Sequence, residues 1–500
     1  MARQEIDRLS RFVARTIGVF APNTAIRYLS RRARLAYYTG ASPKGPNKEW
    51  NPPNKTEDAL LARDRGRLLA RARDLERNSS HISGAIGKIC NNVVYTGIFP
   101  QAQIRDNETG KLKKGLNQTV ERRWKEWARV PEINFYDIQE LVLRHLWIDG
   151  ECLVHRFYDK DLAKRGLCPL GLEVLEPDFL DHTLNGTLEN GNRVRSGIEF
   201  NERGRPVAYH LFKEHPGDSF FGGNYGSSRR VPASEIKHIF HQKRASQHRG
   251  VSWLSAIIIE MRDFQEYQSS ERIAARLASA FGVFVESPYP EHQVHHPLTQ
   301  KQDETKTLSD IPEYIESGRI DVLPPGMKIN AAQFERPGQN YEPYTKTSLK
   351  GASAGSGMSY ENFSNDYAES TYSSARQAIL EERRGYRKLQ MFLNRKFNDW
   401  VWDSWLTFAE MFRLLGGIGT DVPVIWQNPG WPWIDPQKDA KGAETELKLK
   451  ITNRRRLAAE RGLNWDDEIE QLEEEEERIS KLPSEQQGDN GNAATGTTAG

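Results

Sequence analysis

The pattern of hydrophobic and polar positions divides the chain into helical regions near both ends and a β-rich region between them. A helix is predicted to begin near Lys55, because Thr56 is suited to cap it and acidic residues follow in its first turn. From residue 138 to residue 250 the pattern changes to short β-prone runs separated by turn pairs such as Asn185-Gly186. The order of these elements predicts an α+β fold with an antiparallel sheet in the middle.

Helical periodicity returns after the β-rich region. Apolar residues recur every three or four positions over much of residues 251–281, and a second short β-prone segment follows. The longest helical pattern covers residues 368–414, contains no proline, and would measure about 70 Å if unbroken. A charged helix is predicted from about Lys438, and a run of glutamates at 473–477 closes it.

A stretch of small residues, GASAGSGMS, occupies positions 351–359 before the longest helix. Because glycine, alanine and serine offer little apolar surface to bury, we expect this stretch to be a loop that is mobile or lies in a cavity. The end of the chain is rich in Gly, Ala, Thr, Asn and Gln, and we expect it to be disordered.

The composition disfavours a single compact enzyme. Of the 500 residues, 37% are hydrophobic and 28% are charged, and the mean hydropathy is −0.71. These values favour an elongated shape, polar tails, or a subunit that buries surface against copies of itself. No apolar run is long enough to predict a membrane span, and the N-terminus does not resemble a secretory signal.

The net charge of +2 conceals a gradient along the chain. Residues 1–77 contain 17 basic and 8 acidic side chains, whereas residues 464–500 contain 2 basic and 11 acidic ones. Such asymmetry favours nucleic-acid contact or ordered assembly over a small-molecule pocket. The three cysteines, Cys90, Cys152 and Cys168, are too far apart in sequence for a disulfide framework or a CxxC metal site.

Sequence motifs for catalysis are missing. No G-x-x-x-x-G-K-[ST] phosphate loop or G-x-S-x-G elbow occurs, and the acidic residues do not cluster as a two-metal nuclease requires. The best metal candidate is the group His292, His295 and His296, which lacks the H-E-x-x-H arrangement. We therefore predict no catalytic residue, no cofactor and no metal site.

Five segments of the chain and the paired tryptophans Trp124 and Trp127 carry a resemblance to a known family. The segments lie at residues 71–101, 197–218, 231–275, 357–386 and 431–444. In this order they resemble segments of the lambda-type phage portal proteins. The resemblance implies the portal fold, which has long stem and crown helices and an antiparallel β-rich wing and clip, assembled as a ring. It also implies a virion protein with no enzymatic activity of its own.

The resemblance implies the following partners and parts. The partners are other copies of the chain, with twelve as the family's usual number, non-specific double-stranded DNA, the terminase large subunit, a head-completion or neck protein, and a major capsid or scaffold protein. No membrane is expected.

The resemblance also divides the chain into parts. The implied parts are a basic arm and loop (1–54), a wing (55–250), a stem helix (251–281), a clip (282–338), a second stem helix and tunnel loop (339–366), a long wing helix (367–430), a crown (431–484) and a disordered tail (485–500).

The resemblance also suggests where DNA passes. Twelve stem helices spaced about 9 Å apart form a circle about 34 Å across, which leaves about 24 Å, just enough for duplex DNA. Lys346 and Lys350 are predicted to approach phosphates there, with glycine supplying the freedom of the loop. The predicted loop residues are Gly351, Ser353, Gly355, Ser356 and Gly357. The stem residues predicted to line the channel or to pair between subunits are Glu266, Glu271, Arg272 and Arg276.

Two other functions remain open from the sequence. One is a DNA-processing enzyme, either a nuclease or a terminase component, which ATP hydrolysis or metal-dependent cleavage would reveal. The other is a neck adaptor without a DNA-gripping loop, in which reversing the charge of Lys346 and Lys350 would leave DNA packaging unaffected. The sequence alone does not decide the copy number, N-terminal processing, or the roles of the histidine group and the acidic tail.

Overall fold

The computed structural model of this chain describes residues 51–218, 226–280, 284–286, 328–330 and 338–480, with isolated positions at 15, 16, 21, 23, 24, 49 and 220. Internal contacts divide the chain into two units, Met1–Leu60 and Leu61–Gly500. In the first unit, residues 51–56 are exposed and have no regular secondary structure. The predicted arm (1–54), clip (282–338), disordered tail (485–500) and histidine group (His292, His295 and His296) lie wholly or mostly outside the described residues.

Within residues 51–150, four helices precede the β-rich region. They are α1 (Glu57–Asn78), α2 (Ser80–Val93), α3 (Lys114–Ala128) and α4 (Phe135–Ile148). Helix α1 begins with Glu57 and Asp58 in its first turn, which confirms the predicted start. The prediction that β structure begins at residue 138 is wrong, because Gln139, Val142 and Leu146 are buried at helical spacing in α4.

The β-rich region is antiparallel, as predicted, but its described strands form two sheets and not one. One sheet pairs the strands at residues 170–175, 151–158 and 236–240 in that order, and the other is a meander of five consecutive strands between residues 186 and 232. A short helix, α5 (Lys160–Lys164), connects the first two strands of the region. The strands are β2 (Glu151–Tyr158), β3 (Leu170–Leu175), β4 (Gly186–Thr187), β5 (Arg193–Arg195), β6 (Ile198–Phe200), β7 (Pro206–Leu211), β8 (Arg229–Pro232) and β9 (Ile236–Phe240).

Among the residues that the structure describes, two further strand pairs join segments that are distant in sequence. Strand β1 (Phe99–Ala102) pairs antiparallel with β12 (Val424–Gln427). Strand β10 (Phe284–Glu286) pairs antiparallel with β11 (Lys328–Asn330). The second pair falls within the β-prone segment predicted to follow the first stem helix.

The helices predicted for the stem are present. A 3-10 turn (Trp253–Ala256) leads into α6 (Ile258–Ala280), and α7 (Tyr341–Ser356) is followed by the short α8 (Tyr360–Ser364). Residues 351–356 form the last turns of α7, so the prediction that they form a loop is wrong. No helix within the described part of the chain combines the length and apolar character needed to cross a membrane.

The longest helical pattern forms one continuous helical run. Helix α9 (Tyr372–Leu393) passes through a π-helical turn (Asn394–Asn398) into α10 (Asp399–Met411). The run begins later than predicted because Thr371 caps it, in a reciprocal capping box with Ser374. The chain then continues through α11 (Pro436–Lys448), α12 (Arg454–Glu460) and α13 (Trp465–Ser480).

A cluster of aromatic side chains forms the centre of the main core. Trp124 of α3 lies with its ring centroid 4.9 Å from Trp127, 5.1 Å from Trp402 and 5.3 Å from Trp405. All four side chains are fully buried. Such aromatic pairs contribute about 0.5–1.5 kcal/mol each beyond the burial of their area. The cluster therefore packs α10 against α3, although these two helices are far apart in sequence.

Candidate DNA-facing helix pair

Helix α7 packs through two of its glycines against the first turn of α6 and the residue that precedes it. Gly351 and Gly355 are four residues apart and so lie on the same side of the helix. A Cβ atom at Gly351 would lie 2.1 Å from Glu260 Oε1, and one at Gly355 would lie 2.3 Å from Ile257 Cγ2. The small residues predicted to form a mobile loop are instead packed into a helix–helix contact. Their physical role is to permit close approach.

The C-terminal end of α7 is closed by Gly357. This residue has φ +75°, and its N–H donates to Ala354 O, while the N–H of Met358 donates to Ser353 O. These two bonds form a Schellman motif, which satisfies carbonyl groups at the helix end. Ser353 Oγ and Ser356 Oγ donate to carbonyl oxygens three residues earlier in the helix. Gly357 alone of the predicted loop glycines needs the left-handed backbone conformation.

The segment after α7 is held by side chains from two other helices. The carboxylate of Glu382 in α9 accepts hydrogen bonds from Ser359 N and Asn362 Nδ2. Lys88 of α2 donates to Asn362 O, and the ring of Phe363 stacks on His81 at 6.2 Å. Part of the predicted tunnel loop is therefore anchored within the same chain.

The two lysines predicted to approach DNA have different surroundings. Lys346 Nζ lies 2.8 Å from Glu342 Oε1 and 2.7 Å from Glu369 Oε1. Hydrogen bonds to these carboxylates raise the pKa of Lys346, and their charges offset its own. Lys350 is exposed, with its Nζ 5.4 Å from the centre of the Tyr360 ring. Lys350 is thus the better placed of the two to meet an external phosphate.

The four predicted stem residues all lie on α6. Glu266 pairs with Arg262 at 2.7 Å, and both side chains are about 60% exposed. Glu271 accepts from Gly338 N at 3.4 Å, while Arg272 and Arg276 are exposed. The surface of α6 therefore carries charges of both signs, and a channel lining or a subunit contact for these residues stays a prediction.

A buried ionic cluster lies where the sheet meets the start of α6, and sequence reasoning did not find it. Glu151, the first residue of β2, is completely buried. Its carboxylate lies 2.7 Å from Arg249 Nη2, 3.1 Å from Arg65 Nη2 and 2.9 Å from His238 Nε2, and it also accepts from Gly250 N. The available signal was an acidic residue at the start of the otherwise apolar run ECLV.

The charges of this cluster shift the pKa of Glu151. Burial alone would raise that pKa, but Arg249, the hydrogen bond from His238 and the charge of Arg65 hold it well below its usual range. Burial also lowers the pKa of the Arg65 guanidinium to about 10. Glu151 is therefore ionised and multiply hydrogen-bonded, which is the condition under which a buried charge is tolerated.

Two glycines bring backbone segments together beside this cluster. Gly150 has φ +84°, and a Cβ atom there would lie 2.1 Å from the carbonyl carbon of Val251. A Cβ atom at Gly250 would lie 2.3 Å from Gly150 O. The entry to β2 and the approach to α6 are therefore in direct backbone contact.

The described residues also contain one arrangement of metal-ligating side chains. Ligand atoms of Glu176, Asp178 and His215 come within 4.8 Å of one another. Arg73 Nη2 lies 3.0 Å from Glu176 Oε2 and 2.6 Å from Asp178 Oδ2. A guanidinium therefore already supplies the positive charge that these carboxylates require, and we predict no metal there.

Comparison with known proteins identifies the family. The model of the phage portal proteins of the lambda family matches residues 44–390, which is more than half of the chain. The chain belongs to this family. The matched region includes both sheets of the β-rich region, the Glu151 cluster and the α6–α7 pair.

Individual relatives agree with this assignment. The probable portal protein of Halomonas phage phiHAP-1 is 27% identical over 448 residues, which cover 87% of this chain and 85% of the relative. Portal protein B of Escherichia phage lambda is 24% identical over 417 residues, covering 77% of each. The portal protein of Escherichia phage N15 is 22% identical over 480 residues, covering 87% of this chain and 88% of the relative.

Solved structures of gene transfer agent (GTA) particles are also similar to this portal protein. A chain from the neck of the empty GTA particle, computed with C6 symmetry, is 13% identical with a TM-score of 0.45, and the match covers 80% of this chain and 94% of the other. A chain from the native GTA virion is 11% identical with a TM-score of 0.45, covering 82% and 99%. As a member of the portal family, the chain is a structural component of the phage virion.

Proposed function

We propose that copies of this chain form a ring at one vertex of the phage capsid, and that double-stranded DNA enters and leaves the capsid through its channel. The observation that carries the proposal is the family match over residues 44–390. In this proposal the ring, assembled in the host cytoplasm, also docks the terminase large subunit during packaging and a head-completion or neck protein afterwards. A capsid or scaffold protein surrounds it.

The exposed surface of α6 supports assembly from identical copies. Ile259 is 70% exposed and Ile273 is 54% exposed, although both are large aliphatic residues. They lie on the same helix as the exposed charges of Arg262 and Glu266. A helix with exposed apolar and paired charged positions is suited to packing beside a neighbouring copy.

The α6–α7 pair supports a DNA contact that is weak and independent of base sequence. A channel for moving DNA must touch the phosphate backbone without holding it, because each neutralised phosphate adds affinity. Of the two predicted lysines, Lys346 has its positive charge offset by Glu342 and Glu369. Lys350 is exposed and is therefore more accessible to a phosphate group of DNA. We assign the phosphate contact to Lys350 and a structural role to Lys346.

Electron microscopy of the purified chain tests the ring. We expect closed rings whose symmetry can be counted, at high protein concentration and over a range of salt. Monomers under all of these conditions would contradict the proposal. Hydrolysis of ATP or metal-dependent cleavage of DNA by the isolated chain would favour a DNA-processing enzyme instead.

Charge substitutions test the DNA contact. We expect Lys350→Glu to lower the amount of DNA packaged per particle, with ring formation unchanged, because the added negative charge repels phosphate. Lys125→Glu is the matched control, since Lys125 is an exposed lysine of α3 outside the α6–α7 pair. Equal packaging by both variants would favour a neck adaptor without a DNA-gripping loop.

A further inference from the structure

The C-terminal helices form a basic groove against α9. Two adjoining cavities of about 510 and 330 Å³ share Arg387, Trp431 and Glu460 in their linings. Six arginines line them together, against Glu460 as the one acidic lining residue within the described part of the chain. We call this the arginine groove; its arginines are Arg383, Arg384, Arg387, Arg455, Arg456 and Arg461.

The arginine groove also presents apolar surface. Met391, Ile425 and Leu463 line it and are 46%, 55% and 40% exposed. Duplex DNA presents phosphates at its surface, so a protein groove that binds it does not require exposed apolar side chains. An acidic helix with apolar side chains would satisfy both the charge and the apolar surface of the groove.

The same chain carries a helix of that kind. Helix α13 contains nine acidic residues and one arginine. Ile469, Leu472 and Ile479 are spaced by three and seven residues, so they lie on one side of the helix. Leu472 is 48% exposed and Ile479 is 59% exposed, and every residue from 471 to 480 is exposed. The second half of α13 is therefore an acidic, amphipathic surface without a covering segment among the described residues.

A chain's own α13 does not fill its own groove. The helix begins at Trp465, which lies at the groove lining, and a straight helix rises about 1.5 Å per residue. Leu472 is therefore about 10 Å and Ile479 about 21 Å along the axis from Trp465. No residue of α13 after Trp465 lines the arginine groove, and residues 471–480 are all exposed.

We propose that the second half of α13 of one copy binds the arginine groove of the neighbouring copy. A ring of identical subunits needs two different complementary surfaces on each subunit, and an acidic helix and a basic groove meet that requirement. Each copy supplies one helix and accepts one helix, so the contact closes with the ring. This inference rests on the ring of the proposed function and names the surfaces that form it.

Disulfide trapping tests the contact directly. In the full chain, Met391→Cys combined with Leu472→Cys should give, on oxidation, a ladder of covalent multimers on a non-reducing gel. The native Cys90, Cys152 and Cys168 are buried, so they should contribute little background. The matched control combines Leu472→Cys with Leu141→Cys, an exposed leucine of α4 outside the groove, and should give no ladder.

Charge exchange provides a second test that does not depend on new disulfides. The triple variant R384E/R387E/R456E should assemble about tenfold or more weakly than the wild type, because like charges then meet at the contact. Adding E473R/E474R/E476R to it should restore assembly. Sedimentation at matched salt concentrations measures both changes.

The outcomes separate this inference from the proposed function. Rings without the ladder and without the charge effect would overturn the helix–groove contact and leave the proposed function standing. A ladder in a chain that forms no closed ring would support the contact and contradict the ring. Unchanged rings with weaker DNA retention in the triple variant would overturn the contact in favour of a DNA-binding groove.

Discussion

Two pairs of glycines allow close contacts along residues 250–260, which lead into α6, and the two pairs face different obstacles. Gly150 and Gly250 face backbone atoms, at 2.1 and 2.3 Å from an added Cβ. Gly351 and Gly355 face side-chain atoms of Glu260 and Ile257 at similar distances. Backbone atoms cannot move without disturbing their own hydrogen bonds, whereas a side chain can change rotamer. The first pair should therefore tolerate far less change than the second.

The two contacts also differ in electrostatics. The Gly150–Gly250 contact lies beside the Glu151 cluster, where the N–H of Gly250 itself donates to the buried carboxylate. The Gly351–Gly355 contact has no buried ionic cluster of comparable kind among the described residues. Glycine therefore permits a rigid backbone contact at one place in this chain and an adjustable helix contact at another.

The largest effect is expected from Glu151→Gln. This change leaves Arg249 and Arg65 buried without their counter-ion, and we expect it to lower the free energy of unfolding by about 3–5 kcal/mol. Urea denaturation measures the change. The control is Glu126→Gln, which removes an exposed pair with Arg123 and should change stability by less than about 1 kcal/mol. Equal losses of stability in the two variants would show that the folded chain does not depend on the Glu151 cluster.

The pH dependence of the same variant sharpens this test. Because the pKa of Glu151 is lowered in the folded state, its contribution is fully present above the unfolded value of about 4.5 and is lost as pH falls through the lower folded value. The stability difference between wild type and Glu151→Gln should stay constant from pH 8 to about pH 5 and then shrink. A difference that shrinks already between pH 8 and 6 would contradict the assignment.

The next effect is expected from Gly250→Ala. The new methyl group would meet Gly150 O, and we expect a loss of about 2–3 kcal/mol as the two backbone segments separate. Thermal unfolding measures it. Gly84→Ala in α2 is the control, because nothing lies within 4 Å of its added Cβ, and it should be neutral or stabilising. A neutral Gly250→Ala would break the distinction between the two glycine pairs.

A smaller loss is expected from Gly355→Ala. The methyl group would meet Ile257 Cγ2, and we expect a loss of about 1 kcal/mol after side-chain adjustment and the gain in helix propensity. Gly385→Ala in α9 is the helical control, since its added Cβ meets nothing within 4 Å, and it should stabilise the chain by about 0.5–1 kcal/mol. Urea midpoints of the two variants should therefore move in opposite directions.

The smallest effect is expected from Gly351→Ala. Its obstacle is the carboxylate end of Glu260, which is the far end of a flexible side chain. We expect a change within about 0.5 kcal/mol by urea denaturation. A loss as large as that of Gly250→Ala would mean that the Glu260 side chain is fixed as firmly as backbone.

Local patterns account for the elements that were predicted well. Thr371 supplies the cap, and the apolar residues that follow repeat with the helical period, so the long helix could be recognised within four residues of each observed end. Strands β4 to β8 lie within the region of β-prone runs, as predicted, although Gly186 of the predicted turn pair Asn185-Gly186 belongs to β4 itself. Helix α4 was missed because its apolar residues also fit short β-prone runs.

The order of helices and antiparallel strands, the absence of catalytic motifs and the family resemblance were determined by the sequence alone, because each depends on local spacing or on residue identity. Tertiary structure decided the role of Gly351 and Gly355, since glycine is compatible both with a loop and with a close helix contact. The helix contact is recognised only from the positions of Ile257 and Glu260, which an added Cβ atom would meet. It also decided the environment of Glu151, whose partners come from three separate segments, around Arg65, His238 and Arg249. No local pattern reports which distant side chains will share one buried site.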